Sequence, residues 1–382
     1  MHRIIPLILI TAVLFLLTFI PFARRNPAST NPPAVLHVAA DGAAVIPNHA
    51  TTDRAVHDYV LPQTFATRGT ATGGALPAQQ APIGLRRIGG STDGVHQTLA
   101  NKGSGVGIAV LDTGIDLAHP DLGGVISGTN CIDKKKDADD DNGHGTHVAG
   151  TIAARDNTQG TVGVAPAATL YAVKVLDSNG MGSLSALICG IDWVTEHADV
   201  IKVANMSLSR PGSATRSNPD CSNANSDALH VAICRSVKAG VTYIVSAGSG
   251  AVDVSTLVPA AYEEVIPVSA LADSDGEPNG RGPRTCTGDA DDTIANFSNF
   301  GEGVVMIAPG VCILSTWPGA QYRELSGPST AAPYVAGAAA LYIAANPDAA
   351  PEQVRQSLLE GEAVAWNPPG HPSSLGTIVQ VR

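Results

Sequence analysis

Five short apolar runs, Val106 to Leu111, Leu170 to Val175, Val200 to Met206, Val241 to Val245 and Val304 to Ala308, show almost no alternation of polar with apolar residues. A strand with one wet face alternates, so runs of this kind predict strands buried on both faces, the condition of a parallel sheet. Helix-like stretches lie between and after them, at His144 to Ala154, Leu184 to His197, Asp227 to Ala239 and Ala332 to Ala345. This succession predicts an α/β fold, a mostly parallel central sheet flanked by helices on both faces. In such sheets functional side chains gather beyond the carboxyl ends of the strands. Asp112 stands directly after the first run. No internal repeat of solenoid period is present.

The 382 residues suffice for one large domain with an N-terminal extension. Net charge is -11, and the basic tripeptide Lys134 to Lys136 is answered at once by Asp137 and Asp139 to Asp141. No nucleic-acid partner is expected; the charge run reads as a solvated loop, with cation binding as the alternative. Ile4 to Ala23 is almost wholly apolar between Arg3 and Arg24-Arg25, which predicts export, with the segment either cleaved or kept as a membrane anchor. Residues 1–25 are therefore expected to be a signal peptide or signal anchor. Residues 26–77, rich in Ala, Thr, Pro and Gly, are expected to be a pro-segment or linker, with a hairpin around Asp41-Gly42. The functional domain is expected over 78–382, as a monomer that meets a membrane only through such an anchor. Outside the cell cysteines pair, and spacing and local context suggest Cys131 with Cys189, Cys221 with Cys234 and Cys286 with Cys312.

Asn142-Gly-His-Gly-Thr-His-Val-Ala-Gly-Thr-Ile152 and Ser326-Gly-Pro-Ser-Thr-Ala-Ala-Pro-Tyr-Val-Ala-Gly337 place a histidine and a serine at helix starts crowded with small residues. With Leu111-Asp-Thr-Gly114 they supply a base, a nucleophile and an orienting acid. Ser329 precedes Pro333, so its hydroxyl is expected at a helix N-terminus, where the dipole favours developing negative charge. Asp-Thr-Gly also marks aspartic proteases, but two carboxylates must share a proton there, and the chain has no second lobe of that sequence.

The order Asp112, His144, Ser329 is the order found in subtilisin, and the chain resembles the subtilisin-like serine proteases, or subtilases, from about Ala78 to about Pro347. Gly163-Val-Ala-Pro166, Tyr171-Ala-Val-Lys-Val175 and Asn205-Met-Ser-Leu208 resemble that family's core strands and turns. The resemblance implies a subtilisin-like fold and a serine endopeptidase that cleaves polypeptides through an acyl-enzyme, with no catalytic cofactor. It makes His144 rather than His147 the base, and leaves His119 a surface or packing residue. The Ser329 N–H becomes one oxyanion donor. The family usually reads Ala-Gly-Asn where this chain has Ala247-Gly248-Ser249, so a shorter serine, Ser249, takes the place of the second donor. Pro328 replaces the usual threonine and Tyr334 the usual histidine. The implied enzyme works slowly; the alternative is a catalytically impaired peptide-binding module.

By the same resemblance the substrate cleft lies between Asn205 to Arg210 and Ala247 to Ser249, with Ser207, Leu208, Ser209, Ala247 and Gly248 against an extended peptide. Ser209 and Arg210 stand where many relatives have glycines. Gln79, Asp121 and Asn157 resemble side-chain calcium ligands of the family, and carbonyls of Arg155, Gln159 and Thr161 would complete an oxygen shell. Structural calcium is the cofactor implied.

Overall fold

The computed structural model describes residues 44–45, 77–212, 227–278, 280–301, 303–304, 306–366 and 374–381. The first half of the domain carries β1 (Ala44–Val45), α1 (Ile83–Arg87), β2 (Gly107–Asp112), β3 (Ile126–Asn130), α2 (His144–Ala153), β4 (Thr169–Lys174), α3 (Leu184–Glu196), β5 (Ile201–Met206) and β6 (Leu208–Pro211). The second half carries α4 (Ala228–Lys238), β7 (Thr242–Ser246), β8 (Leu257–Val258), β9 (Val265–Ala272), β10 (Thr293–Ile294), β11 (Met306–Pro309), β12 (Ile313–Trp317), β13 (Gln321–Leu325), α5 (Pro328–Ala345), α6 (Pro351–Leu358), β14 (Glu362–Trp366) and β15 (Ser374–Ile378).

The main sheet runs β14-β15-β11-β9-β7-β5-β2-β4-β3. Every pairing along it is parallel except β14 with β15. The unalternating runs are explained by what covers each face. Ile108 and Val110 of β2 pack with Val148 and Ile152 of α2 and Val335 of α5. Ala109 and Leu111 of the same strand pack on the other face with Leu187 and Ile191 of α3 and Leu229 and Ile233 of α4. Side chains alternate between two apolar layers, so the sequence need not alternate.

The five expected strands appear within two residues of their predicted limits. β9, a buried strand between β7 and β11, has no counterpart in the sequence reading. Pro267 interrupts its apolar run, and proline argues against a central strand; burial of all eight residues overrides it. Helix α5 begins at Pro328 rather than at Ala332. Pro328 fits the first turn, where its missing N–H costs nothing. Pro333, deeper in the helix, cannot donate to the Ser329 carbonyl four residues back. Ser207 Oγ donates to that carbonyl instead, at 2.7 Å.

A smaller sheet has the order β1-β6-β8. Ala44 and Val45 run parallel to Leu208 and Ser209; the rest of the expected hairpin lies outside the described residues, as does the N-terminal apolar segment. Among the described residues no helix is long and apolar enough to cross a membrane. Two expected disulfides are present, Cys131–Cys189 and Cys286–Cys312, with Cα atoms 6.0 and 6.1 Å apart. Cys234 is disulfide-bonded, but Cys221 lies outside the described residues.

Candidate active site

Strand β2 is clamped between β4 and β5 and delivers Asp112 to its carboxyl end, fully buried. Asp112 Oδ1 accepts the Thr113 N–H at 2.7 Å and lies 2.7 Å from His144 Nδ1. A proton held between those two atoms leaves Nε2 as the basic nitrogen of His144. His144 opens α2, and the helix start is pressed against β2: a Cβ on Gly145 would lie 2.0 Å from the Gly114 carbonyl oxygen.

Asp140, which the sequence reading left in a solvated loop, builds this helix start. It is 8% exposed. Its carboxylate accepts the N–H groups of Asn142, Gly143 and Thr146, each at 2.9 Å, and the hydroxyls of Thr113 and Thr146 at 2.8 and 2.6 Å. A negative charge at the positive end of a helix, fully hydrogen-bonded, explains why this aspartate turns inward while its neighbours meet solvent. Asp141 reaches the buried Lys174 Nζ at 2.6 Å, and the same ammonium donates to the Thr113 carbonyl. A run of like charges in sequence gives no sign of which member caps a helix.

His147, one turn beyond His144, is fully buried with Nε2 2.9 Å from the Ile313 carbonyl. Burial pushes its ring down to about 3, so it stays neutral. His119 is a packing residue, buried edge-on to Tyr322 with Nε2 3.2 Å from the Gln321 carbonyl.

Ser329 is the second residue of α5 and is fully buried. Its turn is tied down on both sides. Thr330 Oγ1 donates to the Gly327 carbonyl at 2.8 Å, and Asn205 Nδ2 donates to the Ser207 hydroxyl that holds Ser329. Helix α5 packs against α2 and β2, which brings the serine's helix to the histidine's helix and the aspartate's strand.

Ser249 lies just past β7 in a loop fixed by Asn299, which no sequence pattern singled out. Asn299 is fully buried, donates through Nδ2 to the Ala247 carbonyl at 2.9 Å, and accepts the N–H groups of Gly250 and Val252 on Oδ1 at 2.9 and 3.0 Å. Ser249 itself is 6% exposed, and its hydroxyl has no hydrogen-bond partner among the described residues. Of the expected cleft residues, Ser207, Leu208, Ser209, Ala247 and Gly248 are all buried. The Leu208 side chain belongs to the apolar core. Ala247 already uses its N–H on the Val268 carbonyl. Arg210 is half-buried on β6. Tyr334 is buried in α5, so close to α1 that a Cβ on Gly84 would lie 2.4 Å from its hydroxyl oxygen.

Gln79, Asp121 and Asn157 meet at one place. Asn157 donates its N–H to Gln79 Oε1 at 2.5 Å and its amide to Asp121 Oδ1 at 2.9 Å. Asp121 Oδ2 accepts from the Thr161 N–H and the Tyr322 hydroxyl at 3.0 and 3.1 Å. Asp121 is fully buried, and burial pushes its carboxyl up. Gly160, at φ +71°, leaves the carboxylate uncovered where any Cβ would come within 2.3 Å of Oδ2. A buried carboxylate held by neutral donors keeps a charge that a hard cation would offset.

Comparison with known proteins agrees with this architecture. Residues 103–375 match the subtilase family. Subtilisin DY of Bacillus licheniformis is 38% identical over 284 residues, covering 74% of this chain and 91% of the relative. Subtilisin Savinase of Lederbergia lenta is 39% identical over 283 residues, with the same two coverages. The crystal structure of a cold adapted subtilisin-like serine proteinase aligns at a TM-score of 0.64 with 30% identity, over 80% of this chain and 99% of that one. The chain belongs to the subtilase family and is a serine endopeptidase.

Proposed function

We propose that Asp112, His144 and Ser329 are the catalytic triad of an exported endopeptidase acting on extended polypeptides. Ser329 Oγ attacks the scissile carbonyl while His144 takes its proton, and Asp112 stabilises the imidazolium that forms. His144 then protonates the leaving amine, and water releases the acyl group from Ser329. The observation that carries this reading is the solvent-sealed 2.7 Å contact of His144 with Asp112. The Ser329 N–H, at the start of α5, serves as one oxyanion donor, and Ser249 stands in for the second. Loss of an asparagine donor at this place costs roughly a hundred- to a thousand-fold in turnover, or about 3 kcal/mol, a magnitude established on subtilisin itself. The enzyme is therefore slow rather than inert.

The strand edge at Leu208–Ser209 accepts an extended segment in parallel, as Ala44–Val45 does within this chain, which supports a peptide cleft there. Export is supported by the apolar run Ile4 to Ala23; on this reading residues 1–25 are the signal or anchor, 26–77 the pro-segment or linker and 78–382 the peptidase. Calcium at Gln79, Asp121 and Asn157 would neutralise the buried carboxylate and stabilise the folded state by mass action.

A fluorophosphonate probe tests the nucleophile: it should label Ser329, abolish peptide hydrolysis, and leave Ser329→Ala unlabelled. Labelling elsewhere with hydrolysis retained contradicts the assignment. A chelator should lower the thermal midpoint by several degrees, reversed by added calcium; an unchanged midpoint removes the metal from the account.

A further inference from the structure

Lys174 is the only lysine buried among the described residues, and an ammonium is not taken out of water without partners. It ends β4 directly opposite Asp112 in the parallel ladder with β2. Residues paired in register share a face of the sheet, so both side chains lie on the side that α2 covers, with Val110 and Ala172. The ammonium donates to the Thr113 carbonyl and, at 2.6 Å, to Asp141 Oδ1. The Lys174 side chain is 4% exposed and that of Asp141 57%, so the ion pair has one sealed end and one wet end.

Thr113 links this lysine to the triad. Its N–H goes to Asp112 Oδ1 at 2.7 Å, and its hydroxyl donates to Asp140 Oδ1 and accepts the Gly145 N–H at 2.8 and 3.0 Å. With its carbonyl held by Lys174, every polar group of this residue is fixed. Asp112 Oδ2 is buried and has no hydrogen-bond partner among the described residues. A buried carboxylate in that state is stabilised by a nearby positive charge, and the ammonium on the opposite strand residue supplies one.

Resting on the triad reading above, we propose that Lys174 is a positioning residue of this peptidase. Its ammonium holds the Asp112–Thr113 turn against the start of α2 and disfavours protonation of the Asp112–His144 pair, which extends activity to lower pH. Whichever member of the pair takes the proton, removing a positive charge beside it makes that step easier. The other titratable groups around His144 are Asp112 on β2, Asp116, Asp139 and Asp140 in the loops after β2 and β3, His147 on α2, and Arg323 on β13. The Arg323 guanidinium lies over Trp317, whose ring packs against Gly143. Helix α5 carries no acid, histidine, lysine or arginine.

The test is the pH profile of kcat/KM for peptide hydrolysis, whose acid limb reports protonation of the free enzyme, with each protein normalised to its fluorophosphonate-reactive fraction. Lys174→Met removes both the charge and the donor, whereas Lys174→Gln keeps a donor for the Thr113 carbonyl. Both should move the acid limb up by about one pH unit. Plateau kcat should fall roughly tenfold or more in Lys174→Met, from lost positioning, and less in Lys174→Gln. Asp141→Asn, at the exposed end of the pair, removes the opposite charge and should move the limb down, by less because solvent screens it. That variant decides the case if the Lys174 variants do not fold. An acid limb unmoved in hydrolysing Lys174 variants, or one that does not fall in Asp141→Asn, overturns the inference and leaves the triad standing. A parent protein that hydrolyses no peptide overturns the triad reading itself, and this inference with it.

Discussion

The two sides of the proposed nucleophile, Ser329, are built to different standards. On the acid–base side, Asp112, Thr113, Asp140, Gly145 and Thr146 are joined by hydrogen bonds of 2.6 to 3.0 Å, and His144 is fixed through Nδ1. On the oxyanion side the backbone is equally well held, by Asn299, yet the Ser249 hydroxyl at its tip is buried without a hydrogen-bond partner among the described residues. On the proposed assignment, the weakness lies in one side chain's reach and not in a loose loop. A pinned loop cannot move to compensate, but it can present a longer side chain in the same place.

Weakening the stronger side should have the larger structural effect. Asp140→Ala strands five donors around the start of α2, and hydrogen bonds to a buried charge are worth roughly 1.5–3 kcal/mol each without being additive. Stability should fall by about 3 kcal/mol or more in denaturant unfolding, with hydrolysis falling as the His144 helix start loosens. A variant that melts and turns over like the parent would show that Asp140 holds nothing.

The smaller effect separates the two histidines of α2. The buried His147 is held down at about 3, below its unfolded value of 6.5. The unfolded chain therefore binds more protons between those values, and stability is complete above about pH 6.5 and lost as pH falls toward 3. At most about 1.4 kcal/mol per pH unit is involved. His147→Gln, which keeps a donor for the Ile313 carbonyl, should flatten the slope of thermal midpoint against pH across that window. An unchanged slope would assign the acid sensitivity to other groups.

Much of this was legible in the sequence. Buried strands declared themselves through Val106 to Leu111 and its counterparts, and Asp112, His144 and Ser329 stood at a strand end and two helix starts, where small neighbours mark close packing. What stayed hidden depends on long-range partners. Asp140 looked like one more member of an acidic run, because only the folded chain places it at the open end of α2. Asn299 lies in an irregular segment with no period, and its work is done on residues 247–252. Pro267 and Pro333 obey local rules that argue against their elements; two-sided burial and the Ser207 hydroxyl respectively override them.

The most direct test of the account is the turnover number of Ser249→Asn beside the parent enzyme, each normalised to its fluorophosphonate-reactive serine. A rise of roughly a hundred- to a thousand-fold, with the thermal midpoint unchanged, is predicted if the oxyanion side limits the enzyme. Equal or lower turnover in a folded variant would contradict it, placing the limit elsewhere or showing that the loop already supplies a sufficient second donor.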